Sequence, residues 1–149
     1  MGLEGEIGGS KLDLALYGNL NDKWVIFGGV HSKASLAERV SDDVPTSVAM
    51  MKKGLISILY TFDSKSFPPP HGNLLNKGEL GSFANPSDKR KYIEDHGSFD
   101  GCFSYNTRTQ PSINATKSGK MIYVSKLDKT SDHFVEFVSD SWEKYKKKY

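Results

Sequence analysis

Apolar and polar residues alternate from Lys11 to Tyr17, with Leu12, Leu14 and Leu16 on one side and Lys11, Asp13 and Ala15 on the other. A period of two predicts a strand with one apolar face. Gly18-Asn-Leu-Asn-Asp22 has turn chemistry, and Trp24-Val-Ile-Phe27 supplies a partner strand that Gly28-Gly29 ends. The pair predicts a hairpin. Ser35-Leu-Ala-Glu38 has capping-box spacing and predicts a short helical turn. Pro45 and Gly54 stand where a helix would take its first residue and its terminating glycine, with Val48, Ala49 and Met51 toward the core. Leu55 to Phe62 is strongly apolar and predicts a third strand.

The pattern breaks between Asp63 and Ser98. Pro68-Pro-Pro70, Pro86 and the charged run Asp88-Lys-Arg-Lys91 predict a long loop over 63–98, with Lys91-Tyr-Ile-Glu94 as one short strand inside it. Phe103 to Arg108 alternates again, Pro111 marks a break, and Ile113 to Lys117 is a further short strand. Lys117-Ser-Gly-Lys120 is a turn, and Met121 to Val124 reads as a strand covered on both faces. In the segment Ser131 to Lys148, Phe134, Val138, Trp142 and Tyr145 recur at helical spacing. Thr130, Ser131 or Asp132 caps its start. Its basic end complements the helix dipole. These elements predict an α+β fold with an antiparallel sheet. The chain reads as one domain over 1–149 with a flexible Gly-rich arm at 1–10.

Composition narrows the function classes. With 37% hydrophobic and 26% charged residues, the chain can bury a core and stay soluble. A formal charge of +2 creates no demand for a nucleic-acid partner, and none is expected. One cysteine excludes an internal disulfide framework and fits a reducing cytoplasm. The N-terminus lacks the basic and apolar regions of a signal peptide, and no apolar run is long enough to span a bilayer. His31, His71, His96, His133 and Cys102 lack tight metal-ligand spacing. There is no G-x-S-x-G elbow and no phosphate-binding glycine loop. No catalytic residues, metal or cofactor are expected, and the chain is not read as an enzyme.

Several motifs, in order, resemble the profilins, small actin-monomer-binding proteins. The second hairpin strand carries a Trp in Asp22-Lys-Trp24-Val-Ile-Phe. Val44-Pro45 to Gly54 resembles the family's Pro-initiated helix. Arg108-Thr109, Ile113-Asn114-Ala-Thr116 and Lys120 with Met121 to Val124 resemble its later strands. The missing aromatic residues before Tyr17 and the long loop are similar to divergent, archaeal-type profilins. The resemblance implies a monomeric, cytoplasmic, cytoskeleton-associated regulator of actin polymerisation. It implies actin contacts at Arg108, His133, Glu136 and Asp140. It implies a proline-rich-peptide groove at Trp24 and Tyr149, and contacts to phosphoinositides or other anionic phospholipids at Lys144, Lys146, Lys147 and Lys148. The alternative expectation is a scaffold or GTPase-regulator domain of the longin or roadblock type, which shares the sheet-and-helix composition.

Overall fold

The computed structural model describes residues 12–36, 40–62, 79–81, 86–105, 112–125, 128 and 132–149. The proposed arm at 1–10, Glu38 of the capping box, Pro68-Pro-Pro70, the Arg108–Pro111 stretch and the caps Thr130 and Ser131 lie outside the described residues.

The hairpin forms as the alternation predicts. Strand β1 (Leu14–Leu20) runs antiparallel to β2 (Lys23–Lys33). Asn21 and Asp22 make the turn with φ of 50° and 62°, the left-handed pair that matches the twist of a two-residue hairpin. Gly28-Gly29 does not end β2, which continues to Lys33. The glycines are there for space. A Cβ on Gly28 would meet Ile56 Cγ1 at 2.2 Å, and one on Gly29 would meet Leu12 Cδ1 at 2.4 Å.

Helix α1 (Val40–Lys52) starts five residues before Pro45, so the proline lies inside it. Asp42 and Asp43 sit at its positive end. Gly54, at φ 78°, turns the chain out of the helix. Its inner face is Val40, Asp43, Ser47 and Met50, one step out of phase with the expected Val48, Ala49 and Met51. The helix carries the chain back so that β3 (Ile56–Thr61) lies parallel to β2, with Gly28 opposite Ile56 and Lys33 opposite Thr61.

Helix α2 (Asp88–His96) replaces the predicted strand at Lys91–Glu94. Ser87 caps it by accepting from Arg90 N, and Gly97 closes it at φ 55°. Strand β4 (Gly101–Tyr105) is buried throughout rather than alternating. Strands β5 (Ser112–Ala115) and β6 (Met121–Ser125) follow, joined by the turn at Gly119. Helix α3 (Phe134–Lys146) closes the described chain, with Asp132 Oδ1 accepting from Phe134 N at its start.

The six strands make one mixed sheet in the order β1-β2-β3-β4-β6-β5. Strands β2, β3, β4 and β6 are parallel, and only the edge strands β1 and β5 are antiparallel to their neighbours. The expected antiparallel sheet is therefore corrected. The α+β class and the packed terminal helix remain, but the architecture is not specifically profilin-like. Successive side chains of the central strands point to opposite faces of the sheet and divide between two clusters. Leu59, Cys102 and Ile122 join Leu36, Val40, Ile93 and Phe99 on the side of α1 and α2. Ile58 and Phe103 face Phe134, Phe137 and Val138 of α3. Covered on both sides, a parallel sheet satisfies its backbone and its apolar runs at once.

Candidate active site

Parallel strands open their carboxyl ends at one edge of the sheet, the usual place for a site in such architectures. Strand β2 delivers His31, Ser32 and Lys33 there. Asp13, just before β1, lies alongside because Leu14 is registered with Val30. The Asp13 Oδ2 accepts from Ser32 N at 2.6 Å, which fixes its carboxylate against the end of β2. The first turn of α1 brings Asp43 in from the other side.

Lys33 stands between the two carboxylates. Its Nζ is 2.9 Å from Asp43 Oδ2 and 3.9 Å from Asp13 Oδ2. The carboxylates differ in environment. Asp43 is 1% exposed, with His31 Nδ1 3.8 Å from its Oδ1. Asp13 is 43% exposed and faces solvent. His31 is fully buried, its ring edge-on to Phe99 at 5.6 Å between centroids. The arrangement gives one open carboxylate, and one ammonium ion-paired with a second, buried carboxylate.

Among the described residues, no three His, Cys, Asp or Glu side chains form a metal-binding group. The donor chemistry nevertheless fits a hard divalent cation of the Mg²⁺ kind. Such ions keep several waters and take one or two carboxylates together with substrate phosphates. Asp13, exposed and already oriented by Ser32 N, is the residue that would hold one.

The residues singled out from the sequence lie elsewhere. His133, Glu136 and Asp140 come together beside Tyr123, Phe137 and Lys144 in a groove of about 390 Å³ against α3. His133 Nδ1 is 3.2 Å from Glu136 Oε2. Burial, then the nearby Glu136 and Asp140 carboxylates, raises the Tyr123 phenol above its usual pKa. Arg108 lies outside the described residues. Trp24 is 72% exposed near the hairpin turn and Tyr149 is 73% exposed at the far end of α3, beside Tyr145. Lys146 pairs with Glu143 at 2.6 Å and lies over the Trp142 ring. Lys144 lines the groove, and Lys147 and Lys148 are exposed. Asp13, Lys33 and Asp43 were not recognised in the sequence. The available signal was an acid on the first hairpin strand and a lysine two residues after a histidine on the second.

Comparison with known proteins replaces the profilin reading. Residues 1–132 match the family described as BsaWI restriction endonuclease type 2. The chain is 51% identical over 144 residues to the type II restriction enzyme AgeI of Thalassovita gelatinovora. That match covers 93% of this chain and 52% of the relative, so the chain spans about half of the relative's length. It also matches the crystal structure of the specific restriction endonuclease AgeI–DNA complex, with a TM-score of 0.74 and 48% identity over 93% of this chain and 52% of that one. AgeI is a restriction enzyme, and its solved structure is a complex with DNA. Actin, proline-rich-peptide and phosphoinositide binding, the cytoskeletal location, the longin or roadblock alternative, and the expectations of no enzyme and no nucleic acid are all overturned. The motifs behind the resemblance were short and common. Near-zero net charge is not a sound exclusion, because nucleic-acid contact depends on local, not total, charge.

Proposed function

The chain belongs to the BsaWI type 2 restriction endonuclease family, and we propose that Asp13, Lys33 and Asp43 form the phosphodiester-hydrolysing centre of a DNA endonuclease. The observation that carries this reading is Lys33 Nζ placed 3.9 Å from the exposed Asp13 and 2.9 Å from the buried Asp43. In the reaction, water attacks phosphorus and the bond to one sugar oxygen breaks. One product end keeps a phosphate monoester and the other gains a hydroxyl, with the protons of water divided between leaving oxygen and solvent.

The chain's residues divide the work. Asp13 would hold a divalent cation, which when bound draws charge from a phosphate oxygen and makes its water more acidic. Lys33 presents an ammonium to the charge that builds on the phosphoryl oxygens, where preorganised donors are worth most. Asp43 keeps that ammonium in place. Ser32 N sets the angle of the Asp13 carboxylate.

Incubating the purified protein with duplex DNA and Mg²⁺ should give discrete fragments with phosphate monoester ends, and chelation should stop the reaction. DNA left intact, or cut equally well with the cation removed, would count against the reading.

A further inference from the structure

Resting on the endonuclease reading above, we propose that Glu79 is a positioning residue for this site, fixing the chain where β2 leaves the sheet just beyond Lys33. Glu79 lies far from the hairpin in sequence and is 2% exposed. Its Oε1 accepts from Ser35 Oγ at 2.9 Å and its Oε2 from Leu36 N at 2.6 Å. Lys89 Nζ of α2 lies 3.0 Å from Oε1. A carboxylate taken so far from water is costly unless charged or polar donors surround it, and these three do.

The held segment is buried. Ser35 is 7% exposed and Leu36 is 3% exposed. Leu36 packs in the same cluster as Leu80, the residue after Glu79, and Val40, the first residue of α1. Leu80 O accepts from Ser87 N at the start of α2. Glu79 therefore ties the segment that leaves β2, which carries Lys33, and heads toward α1, which carries Asp43, onto α2. Its carboxylate does not touch the reacting groups. It sets the distance between the elements that present them.

Reaction rate is sensitive to such placement, since a shift of about 1 Å in a catalytic group is worth on the order of 10²-fold. Glu79→Gln is isosteric and keeps an acceptor for Leu36 N, but replaces the charge that Lys89 meets with an amide. Under single-turnover conditions with Mg²⁺, it should slow cleavage by roughly 10–100-fold while DNA affinity stays within about twofold. Where Glu79→Gln fails to fold, Lys89→Met takes its place, leaving the Ser35 and Leu36 bonds intact. It should also lower the rate, by about threefold or more, at unchanged affinity. A folded variant that cleaves at the wild-type rate, or that loses rate only through weaker DNA binding, overturns the assignment. Asp13→Asn in the same assay separates the two ideas. If it cleaves normally, the endonuclease reading fails and takes this one with it. If Asp13→Asn is inactive while Glu79→Gln is unimpaired, the positioning role alone is wrong.

Discussion

Asp13→Asn is expected to slow DNA cleavage by about 10²–10³-fold or more, with little change in stability. The side chain is 43% exposed, so the substitution opens no core cavity. The amide oxygen of asparagine can still accept from Ser32 N, which keeps the end of β2 in place. What is lost is the negative charge, which is the reason a hard cation would bind there. Single-turnover cleavage and thermal melting, measured on the same preparation, check both halves. Wild-type cleavage, or a collapse of the fold, would contradict the role given to Asp13.

Lys33→Ala should lose stability as well as activity. Asp43 is 1% exposed and Lys33 Nζ is its 2.9 Å partner. Removing one member of such a pair leaves a carboxylate buried without compensation, at a cost of about 3–5 kcal/mol. Lys33 itself is 21% exposed, and some water can reach the gap, so the low end of that range applies. For a chain of this size that is a fall in melting temperature of about 6–12 °C. Adding Asp43→Asn to Lys33→Ala removes the stranded charge and should recover most of the stability, but none of the cleavage. Melting unchanged in Lys33→Ala would mean that the ion pair does not hold the site together.

The strand–turn–strand start of the chain was readable because alternation and turn residues are local properties. Its functional end was not. Gly28-Gly29 reads as punctuation in the sequence, yet these glycines lie within β2 because Ile56 crowds one and Leu12 and Met50 the other. Ending the strand there left His31, Ser32 and Lys33 in a loop, and the pairing with Asp13 disappeared. Strand direction was also hidden. The apolar run of β3 suits a buried parallel strand as well as an antiparallel one, and only the crossover through α1 decides. The phase of α1 misled because a buried aspartate and a buried serine, Asp43 and Ser47, occupy its inner face. Their burial depends on Lys33 and on Ser57 Oγ, 2.6 Å from Ser47 Oγ, which no local pattern reveals.

The run Asp88-Lys-Arg-Lys91 shows the same limit. Its charges and the nearby prolines suggested a long loop with a short strand at Lys91–Glu94, although Ser87 and Gly97 stand at cap positions. Arg90 is fully buried, bonded to Glu94 Oε1 at 2.8 Å and, across to β5, to Asn114 Oδ1 at 3.0 Å. The terminal helix was recovered because its apolar stripe is long. Phe134 and Phe137 stand edge-on to Phe103, and Trp142 packs on Phe27 at 5.0 Å. That helix is a structural layer of the sheet, and its packing carried no information about actin.

The most direct test is a double-mutant cycle on single-turnover cleavage, using Asp13→Asn and Lys33→Arg, which keeps a cation beside Asp43. Groups that act on one phosphate as a unit lose activity non-additively. The double variant should therefore be no slower than the slower single variant. A rate reduced by the product of the two separate losses would place Asp13 and Lys33 in independent roles and contradict a shared hydrolytic centre.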